Sequence, residues 1–165
     1  MCPHEEKIND CDSSEAMDWN VANDNIRLHP IGSLRAKARQ ARIQAINALK
    51  VIYTAEIQYQ TTYPEIGFSC SLQGLGGDPG QGPPNPTSAR LLIDPLPNGS
   101  KSGYIFNIAN CTKSRVNGVD VITDYTLTAV PQKIGATGHR GFCMDQSNEL
   151  KIDSSGGTNC TESLH

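Results

Sequence analysis

Ser33-Leu-Arg-Ala-Lys-Ala-Arg-Gln-Ala-Arg42 opens a helical pattern that runs on to Pro64 and decides the fold. The pattern starts basic and polar and ends apolar. A helix lying on a globular domain carries one consistent face, whereas this one changes character halfway along. Its two halves are therefore expected to meet different surroundings.

Steps of about 100° per residue place Arg35, Arg39 and Arg42 on one face. The same face holds Ile46, Tyr53 and Ile57, with Leu49 beside them. A second stripe carries Ala38, Ala41, Ala45 and Ala48, continued by Leu34 and Ile52. The large apolar residues are expected to cover a sheet, and the alanines to let another helix approach closely. Unpaired arginines are costly to bury, so the N-terminal half is expected to project and the C-terminal half to pack. The helix is predicted to begin near Ile31–Leu34 and to end near Tyr59–Thr62, because Pro64 disfavours helical geometry just before it. From Ser33 to Gln60 it would rise roughly 42 Å.

Outward from the helix, Gly74–Pro86 has nine Gly or Pro among thirteen residues and reads as loop. Ser88–Leu96 has the look of a helical turn. Asn98–Gly103 is a turn cluster. Strand patterns follow. Tyr104, Phe106 and Ile108 alternate on one face. Tyr125, Leu127 and Ala129 alternate against Asp124, Thr126 and Thr128, as in a half-buried antiparallel strand. Arg140–Asp145 and Glu149–Asp153 read as two more. The fold class is thus α+β: a long N-terminal helix packed on an antiparallel sheet of about four strands.

A length of 165 residues favours a single core. The net charge of −3 sets up no global attraction to nucleic acid. Four cations between Arg35 and Arg42, without interleaved aromatics, are a thin nucleic-acid footprint. Cys2, Cys11, Cys70, Cys111, Cys143 and Cys160 include no Cys-x-x-Cys and fit no zinc module. Scattered through a loop-rich chain, they read as disulfide candidates in an oxidising compartment. Cys143 with Cys160 is the favoured pair, since a returning tail can be stapled to the third strand. The opening residues show no signal-peptide pattern, and no run of 18 apolar residues occurs. Residues 1–32 have no sustained period, and Gly32-Ser33 resembles a joint left by cloning. They are expected to be an appended or poorly ordered segment, the alternative being a native extension stapled by Cys2–Cys11, with 33–165 the globular domain and its helix.

Three quoted runs carry a resemblance: Arg35-Ala-Lys-Ala-Arg39, Ala45-Ile-Asn-Ala-Leu-Lys-Val-Ile-Tyr-Thr-Ala-Glu-Ile-Gln-Tyr59, and Thr61-Thr-Tyr-Pro-Glu-Ile-Gly-Phe68. Leu92-Ile-Asp94, Lys101-Ser-Gly-Tyr-Ile-Phe106, Tyr125-Thr-Leu-Thr-Ala-Val-Pro131 and Gly138-His-Arg-Gly-Phe-Cys-Met-Asp145 continue it in order. Together they resemble type IV pilins and type II secretion pseudopilins, the acidobacterial pilin-like proteins above all. The likeness covers about residues 31–153. It implies a structural subunit of an extracellular or periplasmic filament, assembling through its N-terminal helix. The implied partners are copies of itself, other pilin-like subunits and an inner-membrane assembly machinery. Such proteins begin with a short leader and about twenty apolar residues that anchor the subunit. Here residues 1–30 stand in that place, which implies a soluble form of an extracytoplasmic domain without its greasy half.

The family likeness also implies a calcium site near the C-terminus, because major pseudopilins carry one there. Asp145, Asn148, Glu149 and Asp153 supply oxygens of the kind calcium takes, although the spacing is not an EF-hand. No other cofactor is expected. No enzyme motif is present: Gly-x-Ser-x-Gly, Ser-x-x-Lys, His-Glu-x-x-His and phosphate loops are all missing. His139 beside Arg140 reads as a turn residue. Two rival functions stay open. One is a major pseudopilin driving protein export. The other is a secreted disulfide-stapled binding module using Gly74–Pro86, which an apolar pocket there would favour.

Overall fold

The computed structural model describes residues 30–93 and 95–164. Helix α1 spans Pro30–Thr62. Its alanines and long straight side chains favour helix, and the chain leaves it at Tyr63-Pro64. There the Tyr63 N–H still donates to the Tyr59 carbonyl at 2.8 Å, while the Thr61 and Thr62 hydroxyls donate back to Ile57 and Gln58 carbonyls. A four-residue helix, α2, follows at Leu72–Leu75, capped by the Ser71 hydroxyl. The remainder is a meander: β1 Ser100–Lys101, β2 Tyr104–Val116, β3 Val119–Pro131, β4 Gly141–Asp145, β5 Leu150–Asp153 and β6 Glu162–Ser163. All neighbours are antiparallel and lie in sequence order.

This corrects the expected architecture. The sheet has six strands, not about four, and the molecule is richer in sheet than a long helix laid on a small sheet. The largest excess is the hairpin β2–β3, thirteen residues in each arm. Its turn is Asn117-Gly118, with φ of 52° and 85°. Two positive φ values make the tight turn whose twist matches paired strands. That dipeptide was the legible signal for the long hairpin. The short β1 and β6 have no such signal. Ser88–Leu96 is not a helical turn; only Leu96–Asn98 forms a short 3-10 helix.

The core lies between α1 and one face of the sheet. Register aligns Phe106, Ala129, Phe142 and Ile152 across four strands, with Ile108, Leu127 and Met144 in the next row. Ala45, Ala48, Leu49, Ile52, Ala55 and Tyr59 of α1 close over these rows and are buried. After α1 the chain folds back beside β3. The Phe68 N–H donates to the Ile122 carbonyl at 3.1 Å, and the Ile122 N–H to Ile66 at 2.9 Å. Gly67 permits this approach, since a Cβ there would lie 2.1 Å from the Ile122 oxygen.

Two disulfides fasten the meander. Cys70–Cys111 joins the fold-back segment to the bulge in β2, and Cys143–Cys160 joins β4 to the tail. Cys2 and Cys11 lie outside the described residues. The closed loops span 41 and 17 residues, for which chain-entropy estimates give about 4 and about 3 kcal/mol. The Cys70→Ala/Cys111→Ala variant is therefore expected to lose more stability in urea unfolding than Cys143→Ala/Cys160→Ala. Equal losses would show that native-state strain, not loop closure, sets their value.

Candidate functional site

The buried stripe of α1 does not stop where the domain stops. Ala45, Ala48, Ile52, Ala55 and Tyr59 are covered, but the same face continues upstream as Ala41, Ala38 and Leu34. Ala41 is partly covered, Ala38 half-exposed, and Leu34 is 58% exposed. Arg35 and Arg39 beside them are exposed, so neither guanidinium is buried under the sheet. A continuous apolar face has thus been left half without cover.

Beside this face lies a groove of about 430 Å³. Leu34, Arg35, Ala38, Arg39 and Arg42 form its helix wall, and Tyr104, Gly135, His139 and Arg140 the other. The second wall is held by close packing on Tyr104, which is 1% exposed. A Cβ on Gly138 would meet the Tyr104 oxygen at 2.2 Å, and that hydroxyl donates to the Arg140 carbonyl at 3.3 Å. Burial pushes the Tyr104 phenol above its usual range, and the nearby Arg42 guanidinium pulls it back. Among the described residues no carboxylate lines the groove. The ion pair found among the described residues is Lys151–Glu149, far along the sheet, and none involves these arginines. The groove is a cationic trough with an apolar floor, suited to holding an anionic group.

A second polar feature sits inside the core. Glu56, on the covered part of α1, is 0% exposed. Its Oε2 accepts from the Ser69 N–H at 2.7 Å, while Oε1 and the buried Tyr125 hydroxyl have no hydrogen-bond partner among the described residues. Burial pushes the carboxyl up to about 7, against the lowering effect of the Ser69 and Cys70 N–H groups. Closed off from solvent, Glu56 cannot meet a substrate. It ties α1 to the fold-back segment that leads into Cys70.

The core face of α1 draws on both expected sets, the residues expected to face the sheet and those expected to face a second helix. Ala45 and Ala48 are in the chain's own core and cannot serve as an assembly face; only Ala38 and Ala41 of that stripe retain exposure. Of the expected sheet-facing set, Leu49 is buried, Ile46 and Tyr53 flank the core, and Ile57 is 37% exposed. The reason is steric: small alanines let α1 settle close onto its own sheet, with Leu49, Ile52 and Tyr59 filling the spaces between them and Ile46, Tyr53 and Ile57 left to the flanks.

The expected calcium ligands do not converge. The Asp145 carboxylate accepts from the Ser147 N–H and hydroxyl. Asp153 accepts from Ser155 and from the Asn159 N–H at 2.8 Å, and the Ser155 hydroxyl and N–H hold its carboxyl below the usual range. Glu149 pairs with Lys151 at 3.3 Å, and Asn148 occupies a positive-φ turn position. Among the described residues no three His, Cys, Asp or Glu side chains gather as a metal site. These side chains close turns. Near Gly74–Pro86 there is a hollow of about 640 Å³ between Gly77–Pro79 and Leu92, Ile93 and Pro97, with Ile93 85% exposed.

No protein-family model matches this chain, and no curated protein or solved structure matches it. No helix among the described residues is long and apolar enough to cross a membrane.

Glu56 makes stability depend on pH in a stated direction. Its folded pKa is raised from 4.5 to about 7, so the folded state binds the proton more tightly. The full contribution is present below about pH 4.5 and is lost as pH rises through 7. The loss amounts to about 3 kcal/mol. Urea midpoints of Glu56→Gln are expected to show a flatter pH profile than wild type between pH 5 and 8, with the variant more stable at pH 8. An unchanged slope would show that Glu56 is ionised at little cost.

Proposed function

We propose that this chain is a structural subunit that assembles with copies of itself, and with other pilin-like subunits, into an extracytoplasmic filament. The observation that carries the reading is the uncovered half of α1. One 33-residue helix supplies the core with one half, while the other half extends the same apolar face through the partly covered Ala41 to Ala38 and Leu34, which keep exposure among the described residues. Such a face is stabilised by stacking against a neighbouring helix. The sequence resemblance to type IV pilins and pseudopilins points the same way, and the two disulfides suit an oxidising compartment.

The hollow beside the Gly/Pro loop, with the exposed Ile93, favours a second reading. In that reading the chain is a disulfide-stapled binding module whose ligand sits against Leu92, Ile93 and Pro97.

The two readings separate by experiment. The short stripe buries little area, and at about 25 cal/mol per Å² it cannot offset the several kcal/mol that association costs. In dilute solution the chain is therefore expected to sediment as a monomer. Joined to an apolar helix and leader, in a host with the assembly machinery, it is expected to enter filaments. Leu34→Asp with Ala38→Asp should abolish incorporation while shifting domain stability by no more than about 0.5 kcal/mol, because both sites have exposure. Ile93→Ser should leave incorporation intact. Filaments that tolerate the Leu34/Ala38 changes, or a full-length protein that never assembles, would overturn the filament reading in favour of the binding module.

A further inference from the structure

We infer that the groove between the first half of α1 and His139–Arg140 is a binding site for an amphiphilic phosphate, a single-chain molecule with a phosphate head and an apolar tail. Charge calls for the head. Arg35, Arg39, Arg42 and Arg140 all line the groove, and none of the four forms an ion pair among the described residues. Arg35, Arg39 and Arg42 stand about one turn apart, along a helix rise of about 10 Å, so their guanidinium groups follow one wall. Arg140 comes from the opposite wall. Arg42 lies close enough to that wall to act on the Tyr104 phenol, so the two walls share one electrostatic environment.

The residue types select among anions. A carboxylate has two oxygens and satisfies one guanidinium fork, whereas a phosphate monoester offers three terminal oxygens and carries up to two charges. Arginines arriving from two walls match the phosphate. The floor calls for the tail. Leu34 is 58% exposed and Ala38 half-exposed, and both lie among the cations. A fully hydrated anion leaves that apolar surface in water, while an alkyl chain removes it. The volume of about 430 Å³ suits one small molecule, and a two-chain lipid is too large for it. Tyr104 is 1% exposed, so its ring offers no face on which a nucleic-acid base could stack.

The far wall is built before any ligand arrives. Gly138 packs on the Tyr104 ring, and the Tyr104 hydroxyl holds the Arg140 carbonyl. At the rim, a Cβ on Gly135 would meet no atom within 4 Å, so the rim at Gly135 is uncrowded. Occupation would cover Leu34 and Ala38, the residues assigned to subunit contact above. The inference concerns the single chain and does not rest on that assignment. A chain that binds the phosphate but never enters filaments upholds it, and a chain that enters filaments without binding the phosphate overturns it alone.

The test is isothermal titration calorimetry on the full chain, with octyl phosphate kept below its micelle concentration and inorganic phosphate as the head alone. Octyl phosphate is expected to bind about tenfold more tightly than inorganic phosphate, because its chain covers the apolar floor. Arg35→Gln with Arg39→Gln is expected to weaken octyl phosphate about tenfold, through lost charge-assisted hydrogen bonds. Leu34→Ser is expected to weaken octyl phosphate about fivefold and to leave inorganic phosphate unchanged. Lys113→Gln with Arg115→Gln, on the β2–β3 hairpin, is expected to behave as wild type. Far-UV circular dichroism and the urea midpoint verify that each variant is folded. Equal affinity of the wild type for octyl and inorganic phosphate would overturn the inference, and so would octyl phosphate binding that survives the Arg35/Arg39 changes. Phosphatidylglycerol vesicles separate a bilayer surface from a free molecule. Displacement of the chain from them by octyl phosphate would support the inference, and capture that octyl phosphate fails to reverse would overturn it.

Discussion

Everything else in this molecule depends on how closely α1 lies on its sheet. Ala45, Ala48 and Ala55 present no bulk, so the helix backbone settles against the rows led by Phe106 and Ile108. Leu49, Ile52 and Tyr59 then fill the spaces between sheet side chains. Once this seam is made, the helix direction is set, and so is the point at which it leaves the sheet. The groove and the uncovered apolar face are consequences of that exit. They exist because the helix is longer than the sheet that covers it.

The fold-back segment converts the seam into a closed core. Phe68 lies edge-on to Tyr125, with ring centroids 4.7 Å apart, and Ile66 and Phe68 bracket Ile122 by backbone hydrogen bonds. Glu56 sits behind this contact with only part of its hydrogen-bonding capacity used. A buried carboxyl of this kind lowers stability when ionised. The Cys70–Cys111 disulfide immediately beyond it restrains the same segment from the other side. The molecule thus places a pH-sensitive group and a covalent restraint at one junction, where α1, β2 and β3 meet.

The candidate surface has a different physical character from the core. It combines an exposed apolar stripe with a line of cations that have no counter-charge among the described residues. Either feature alone is common on protein surfaces. Their coincidence on one helix end sets that end apart from the rest of the described surface.

By itself the sequence determined the long helix and its end, since an alanine-rich periodic run closed by Tyr63-Pro64 reads the same in any context. It also determined the alternation that places Tyr104, Phe106, Ile108, Tyr125 and Leu127 inward, because strand side chains alternate with a period of two. The projecting arginines followed from the cost of burying charge. Tertiary structure alone decided which apolar stripe of the helix meets the sheet. Periodicity separates faces but does not rank two apolar ones, and here the buried face combines Ala45, Ala48 and Ala55 with Leu49, Ile52 and Tyr59. It alone decided the six-strand meander, whose two-residue edge strands depend on neighbours rather than on their own composition. Turns claimed the Asp145 and Asp153 oxygens that a metal would have needed, and that local competition appears only once Ser147 and Ser155 are folded against them. The groove, finally, required His139 and Arg140 to be carried across the molecule to Arg35 and Arg39. A separation of about one hundred residues is bridged by strand pairing, which no local pattern encodes.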